Sequence, residues 1–330
     1  MIISRTPFRI SFFGGGTDYP DWYLKNSGSV LATTIDKYCY ISCRYLPSFF
    51  DHKYRIVYSR IENVRDLNDI EHPSVKGVLK FMEESKGLEI HHDGDLPARA
   101  GLGSSSSFTV GLINALMAKR GLHISKEDLA SRAIHVEQNL IGESVGSQDQ
   151  ISASFGGFNQ IDFQIDGSFK VNPVILTEDR KSELQSHLML FFTGVSRIAS
   201  DIAKSKISNF EKRENELKQI GKMVTKAVRV LQSDTPIAEF GNLLHDTWTY
   251  KKSLSQKVTT EFVDQTYEAA RRAGAIGGKL LGAGGGGFML LFAPPNRHQI
   301  VKKTLSKLVH VPFSFENTGS RIALYQPEGL

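Results

Sequence analysis

The sequence predicts an α+β protein built as two domains. Two observations lead there. A chain of 330 residues is longer than one ordinary hydrophobic core and suits two units. Strand-like and helix-like stretches also alternate irregularly, whereas a doubly wound sheet repeats strand and helix in strict turn. The expected boundary lies near 180, giving units of 1–180 and 181–330.

Residues 2–11 read as a strand, with Pro7 marking a bend or an edge. A glycine turn follows at 13–20. Residues 29–45 carry a long β-type composition, and 53–59 a second short strand. Residues 73–86 have helical spacing, with Val75, Val78, Leu79 and Met82 on one face. Residues 88–92 return to strand. Residues 108–120 are apolar and helix-forming. Ser125 opens a capping box, so a helix is expected from there to about Leu140. Residues 142–157 read as a glycine- and serine-rich connection and 157–163 as a strand. In the second half a strand is expected at 187–192, a long amphipathic stretch at 200–231, and helices at 236–254 and 261–273. A strand at 288–292 and a helix at 298–310 precede the closing strands.

Composition excludes several classes of function. Lys plus Arg is 40 against Asp plus Glu 35, a net charge of +5. These residues are scattered, with no basic run or aromatic-interleaved basic patch, which argues against nucleic acid. No apolar run reaches the length of a membrane span. The opening residues run straight into a strand pattern without a signal peptide. Cys39 and Cys43 share a strand face roughly 13 Å apart, too far for a disulfide. A cytoplasmic monomer or homodimer acting on small molecules is expected.

Chemistry concentrates in three glycine-rich loops and two acids. Gly101-Leu102-Gly103 and the four serines after it stand just before an apolar helix. Glycines permit close backbone approach, and a helix N-terminus offers aligned N–H groups to a phosphate. The Lys-Ser/Thr ending of a Walker loop and the G-x-G-x-x-G spacing are both missing. A flexible turn that caps the helix fits these residues nearly as well. Asp149, in a glycine-lined stretch, suits a group that accepts or orients a hydroxyl proton; an exposed loop acid is the plain alternative. Glu137 with one hydroxyl is a minimal set for Mg²⁺, and a solvated helix glutamate is its alternative. The run from Gly282 to Gly287 implies a backbone passing very close to a ligand or to a neighbouring loop. Gly14-Gly15-Gly16-Thr17-Asp18 has the same ambiguity. Arg9, just upstream, offers a guanidinium against phosphate charge or a salt bridge elsewhere.

In this order the stretches resemble the GHMP kinases, the superfamily of galactokinase, homoserine kinase and mevalonate kinase. Pro97-x-x-x-Gly101-Leu102-Gly103-Ser104-Ser105 is similar to the family's central ATP loop. Lys279-Leu280-x-Gly282-Ala283-Gly284-Gly285-Gly286-Gly287 is similar to its C-terminal motif. Pro7-x-Arg9, Gly14 and Thr17-Asp18-Tyr19 resemble the N-terminal motif of the sugar-kinase branch. The resemblance implies an N-terminal domain like ribosomal protein S5 domain 2 and a ferredoxin-like C-terminal domain, with ATP and sugar between them. It implies Asp149 and Arg9 as catalytic residues, and Ser105 and Glu137 as Mg²⁺ ligands. The ATP phosphates would meet Arg99, Ala100, Gly101, Leu102, Gly103, Ser104, Ser105, Ser106 and Ser107. Gly15, Gly16, Thr17, Asp18, Gly284 and Gly285 would line the sugar site.

Gly15-Gly16 stands where galactokinases carry Glu-His, which argues against galactose. The Gly-Gly-Gly-Thr-Asp-Tyr-Pro form and the stretch from Phe192 to Ala199 resemble the branch that phosphorylates D-glycero-D-manno-heptose 7-phosphate on its anomeric hydroxyl, toward GDP-heptose. Such a substrate already bears a phosphate, so a second basic anchor is expected, and Arg197 and Lys204 are the candidates. A related kinase of fucose, arabinose or galactose type is the alternative enzyme reading. A sugar- and ATP-binding regulator that has lost catalysis is the alternative from another class, and four retained active-site residue types argue against it.

Overall fold

The computed structural model of the chain describes residues 1–98, 100–194 and 199–327. Arg99 and Arg197, two of the expected phosphate contacts, lie outside the described residues. The chain opens with β1 (Ile2–Phe13), α1 (Pro20–Asn26), β2 (Gly28–Tyr45), β3 (Tyr54–Val57), β4 (Ile61–Val64), α2 (Pro73–Phe81) and β5 (Leu88–Gly94). Next come α3 (Ser104–Lys119), α4 (Lys126–His135), α5 (Gln148–Phe155), β6 (Phe158–Phe163), β7 (Phe169–Pro173), α6 (Glu178–Ser186) and β8 (Leu188–Phe192). The remainder is α7 (Ala199–Ile207), α8 (Glu214–Leu231), α9 (Ala238–Ser253), α10 (Glu261–Arg272), β9 (Gly277–Leu280), β10 (Phe288–Phe292), α11 (His298–Thr304), β11 (Val309–Val311), β12 (Phe315–Glu316) and β13 (Arg321–Tyr325). No helix among the described residues is long and apolar enough to cross a membrane.

The long strand β2 is the spine of the first sheet, which runs β13-β1-β2-β5-β3-β4. Its two halves have different neighbours: residues 39–45 pair with β5 and residues 28–33 with β6. The second sheet runs β11-β8-β10-β9. The sheets do not divide the chain at one point. β12 and β13 return to β2 and β1, so the end of the expected 181–330 unit pairs with the first sheet, covering an edge that residues 2–5 would otherwise leave open. Pro7 falls just beyond the β13 pairing, which stops at Arg5, so β13 does not flank β1 there, and at a register shift against β2, where a missing N–H costs least.

Three expectations change. The connection expected at 142–157 contains α5, whose Gln150, Ile151, Ser152, Ala153 and Ser154 are buried. Burial among α3 and α4 overrides a glycine- and serine-rich composition. The amphipathic stretch at 200–231 is two helices, α7 and α8, broken by a 3₁₀ turn at Glu211–Arg213. The helix expected to reach residue 310 ends at Thr304 and gives way to β11.

Two packing features place the site. The helix α3 is buried nearly all round, as suits a helix apolar on every face. It seats closely on β1 because Gly111 is bare: a Cβ there would lie 2.8 Å from the Thr6 hydroxyl, and the Ser4 hydroxyl donates to the Gly111 carbonyl at 2.8 Å. The far end of β1 is locked to the second half of the chain. Phe12 and Phe13 meet Phe240 of α9 edge to face, with ring centroids 5.4 and 5.0 Å apart. One end of β1 and the head of α3 are thus held at the seam between the sheets.

Candidate active site

At that seam lies a cleft of about 510 Å³. Arg9 reaches into it from β1 and Asp149 from the first turn of α5. Arg9 Nε donates to Asp149 Oδ1 at 2.8 Å, and Nη2 donates to Oδ2 at 2.9 Å. This planar fork fixes the carboxylate in direction as well as position. The third donor, Nη1, bonds the Gly101 carbonyl at 2.7 Å, and the Arg9 backbone N–H donates to the Leu102 carbonyl at 3.0 Å. The Arg9 side chain is 4% exposed and that of Asp149 25%, so the acid lies over the arginine and faces the cleft. Burial pushes the Asp149 carboxyl above its ordinary value, and the Arg9 charge opposes that rise.

The serine loop is rigidly placed. Gly101 and Gly103 have φ of +90° and +76°, which glycine adopts freely. A Cβ on Gly103 would lie 3.3 Å from Arg9 Cγ and 3.4 Å from Asp149 Cγ. The loop is therefore a floor against the Arg9–Asp149 pair, and α3 starts directly after it. An α-helix leaves its first N–H groups without intrahelical partners. Here that end opens on the cleft, with Gly101, Gly103, Ser104, Ser105 and Ser106 along the wall. Ala100, Leu102 and Ser107 are buried, and the Ser107 hydroxyl donates to the Pro7 carbonyl at 3.0 Å, so its side chain ties α3 to β1.

Glu137 lies in a π-helical turn, Val136–Ile141, that continues α4. Such turns concentrate at functional sites. Its carboxyl is fully buried. Oε2 accepts from the Ser106 hydroxyl at 2.9 Å and from the Gln150 amide, while Oε1 has no hydrogen-bond partner among the described residues. Burial pushes this carboxyl up to about 7. An unpartnered carboxylate oxygen beside a cleft-lining hydroxyl suits a divalent cation, which would hold the group ionised. The hydroxyl that meets Glu137 is that of Ser106; Ser105, the expected partner, is exposed and lines the cleft.

Asp18 is 1% exposed. Its Oδ1 accepts from the Gly16 N–H and its Oδ2 from the Gln148 amide, both at 2.8 Å. Gly15, Gly16 and Asp18 line the cleft. The Thr17 hydroxyl is occupied elsewhere, 2.9 Å from the carbonyls of both Gly14 and Ser29, and closes the turn. In the C-terminal glycine run, a Cβ on Gly282 would lie 2.5 Å from Gly101 Cα, on Gly284 2.6 Å from the Val258 carbonyl, and on Gly287 2.3 Å from the Ala100 carbonyl. Those glycines answer neighbouring backbone. Gly284 still borders the cleft, whereas the Gly285 N–H is spent on the Val258 carbonyl at 2.9 Å.

Sequence reasoning missed a set of buried cations. Lys206, Lys251 and Lys279 line the cleft and are at most 5% exposed. Lys279 Nζ donates to the Phe12 carbonyl at 2.8 Å. Lys251 Nζ donates to the carbonyls of Leu280 and Gly282, both at 2.7 Å. Burial pulls all three ammonium groups down, Lys279 to about 7 and Lys251 well below its ordinary value. Lys206 lies 5.1 Å over the Tyr19 ring and feels the charges of Asp18 and Asp149. Lys204, the expected anchor, is exposed at the cleft rim. Two positions apart on α7, these lysines point to opposite sides, a signal that helix periodicity could have given. Together the groups set one arginine and three buried lysines around the cleft-facing Asp149 carboxylate, an arrangement suited to transferring a phosphoryl group.

Comparison with known proteins supplies names for this geometry. A model described as the GHMP kinases N terminal domain matches residues 73–157, and one described as GHMP kinases C terminal matches residues 214–310. D-glycero-alpha-D-manno-heptose 7-phosphate kinase of Campylobacter jejuni is 31% identical over 320 residues, covering 93% of each chain. The bifunctional fucokinase/GDP-fucose pyrophosphorylase of Arabidopsis thaliana is 27% identical across 87% of this chain and 29% of its own. A crystal structure of a D-glycero-D-manno-heptose 1-phosphate kinase from Bacteroides thetaiotaomicron superposes with a TM-score of 0.81 at 24% identity, covering 99% of this chain and 100% of that one.

Proposed function

Because the chain belongs to the GHMP kinases, we propose that the cleft transfers the γ-phosphoryl group of ATP to the anomeric hydroxyl of D-glycero-D-manno-heptose 7-phosphate. The coarser statement is firm: the protein is an ATP-dependent phosphotransferase that acts on a sugar. The observation that carries the reading is the Asp149 carboxylate, clamped by Arg9 at the foot of the serine loop.

In this reading Asp149 orients the acceptor hydroxyl and takes its proton as that oxygen bonds to the γ-phosphorus and the bond from the γ-phosphorus to the β–γ bridging oxygen breaks, releasing ADP. Arg9 keeps the carboxylate aimed, and its charge offsets charge on the transferring group. The backbone of residues 100–107 at the head of α3 cradles the β- and γ-phosphates, and Arg99 remains a proposed contact. Glu137 with Ser106, and with Ser105 beside it, would hold Mg²⁺, which when bound would neutralise phosphate charge. Asp18, Gly15 and Gly16 border the sugar. Buried Lys206 is the main proposed anchor for the phosphate that the acceptor already carries, with Lys204 at the rim and Arg197 as the further candidates.

The heptose assignment rests on the 31% identity to the Campylobacter jejuni enzyme and on the basic side chains of α7. A coupled ADP-release screen over heptose 7-phosphate, heptose, fucose, arabinose and galactose tests it, with the product's phosphorus positions read by NMR. The expected result is highest kcat/KM for the sugar phosphate and a new anomeric phosphate signal. A higher kcat/KM for any neutral sugar, or a new phosphate elsewhere on the ring, would overturn the heptose reading.

A further inference from the structure

Two buried polar atoms in the cleft have no hydrogen-bond partner among the described residues: Ser11 Oγ and Gln148 Oε1. Their side chains belong to residues that are 5% and 7% exposed, and both residues line the cleft. A buried polar atom without a partner is costly. Two in one wall, beside a carboxylate, mark a place where a ligand supplies the missing partners.

The orientation of the Gln148 amide is fixed by its surroundings. Nε2 donates to Asp18 Oδ2 at 2.8 Å, and an ionised carboxylate only accepts. Oε1 is therefore an acceptor directed away from Asp18, and it requires an O–H or N–H donor. Asp18 has a protein donor on each oxygen, the Gly16 N–H and Gln148, so it serves first as the group that holds the amide. The face of Gly15 is open toward the same two side chains: a Cβ built there would lie 3.9 Å from the Gln148 amide nitrogen and 3.9 Å from Ser11 Oγ. A ligand atom at that point would touch both side chains.

We propose that Ser11, Gln148 and the bare face of Gly15 form a hydroxyl-reading subsite that sets which sugar stereoisomer is accepted. It rests on the sugar-kinase reading and deepens it. One sugar hydroxyl donates to Gln148 Oε1, and Ser11 Oγ pairs with the same or the adjacent hydroxyl. A site built to bond a hydroxyl rejects an analogue lacking it, because its own polar atom is then left unpaired.

The experiment compares wild type with Ser11→Ala, Gln148→Leu and Gly15→Ala, using the sugar that wild type turns over best and its monodeoxy analogues. The wild-type screen by itself tests the choice of sugar, so a wrong heptose assignment leaves this subsite to stand or fall on the variants. Gly15 has a backbone that L-residues adopt and room for a methyl group, so Gly15→Ala should fold normally while filling the subsite. The expected result is a rise in acceptor KM of roughly tenfold or more in each variant, with KM for ATP within about twofold. One monodeoxy analogue should be discriminated strongly by wild type and lose that discrimination in Gln148→Leu. Unchanged acceptor KM in both Ser11→Ala and Gly15→Ala, or equal discrimination of every analogue by wild type and Gln148→Leu, would overturn the proposal.

Discussion

The loop at 101–107 and the loop at 282–287 carry the same sequence signal, a cluster of glycines beside a regular element, yet the structure gives them different work. The first turns the head of α3 toward the cleft and lies under Arg9 and Asp149. The second borders the same cleft through Gly282, Gly284 and Gly286 while it braces the first: Gly282 packs on Gly101 and Gly287 on Ala100, backbone to backbone. Both loops border the ligand space, but only the second also carries the backbone of the other. Glycine density thus reports close approach without saying what approaches, and only the partner's identity separates a binding loop from a buttress.

The largest effect should come from breaking that contact. Gly282→Ala places a Cβ 2.5 Å from Gly101 Cα at a φ of +69°, a clash joined to backbone strain. A loss of about 3 kcal/mol in stability is expected, together with weakened ATP binding as the displaced Gly101 backbone shifts the serine loop. Thermal melts and nucleotide titration check both. A fully stable variant with wild-type ATP affinity would break the buttress account.

Lys206→Met and Lys204→Met sharpen the contrast between a buried and an exposed cation on one helix. A desolvated charge interacts more strongly with an anion than an exposed one. KM for the sugar phosphate should rise roughly tenfold or more in Lys206→Met and less than about threefold in Lys204→Met. Steady-state kinetics at fixed saturating ATP decide it, and the reverse order would return the anchoring role to Lys204.

A smaller effect is a pH signature. Folding lowers Lys279 from its ordinary 10.5 to about 7, so between those values the unfolded chain holds the extra proton. This group's contribution to stability therefore rises as pH increases from about 7 toward 10.5, and below about 7 the folded protein bears the full cost of a buried charge. Lys279→Met removes the group. Its Tm relative to wild type should be most favourable near and below neutral pH and should fall toward about pH 10. A difference that does not vary with pH would show that Lys279 is not depressed.

Much of this organisation was legible in the residues. β1, β2, α3 and β10 follow from long runs of β-branched or apolar residues with clear stops. Arg9, Asp149, Asp18 and Glu137 stand near the cleft because each lies in a short segment with a recognisable pattern. The rest depended on distant contacts. Gln148–Phe155 looks like a loop in isolation and becomes α5 only by burial against α3 and α4. Ser106, not Ser105, meets Glu137 because one residue along a helix rotates the side chain by about 100°. Lys206, Lys251 and Lys279 are ordinary lysines in sequence, and only the packing of distant elements around the cleft buries them. Thr17 matches a sugar-site pattern but spends its hydroxyl on the turn.

The central claim is that Asp149, aimed by Arg9, handles the acceptor proton at a nucleotide site built from other groups. Asp149→Asn tests it most directly, with kcat for the sugar and Kd for ATP measured on the same preparation. The account predicts a fall in kcat of about 10²- to 10⁴-fold, with ATP affinity within about threefold of wild type. An Asp149→Asn protein that turns over at the wild-type rate, or one whose loss is explained entirely by failure to bind ATP, would contradict it.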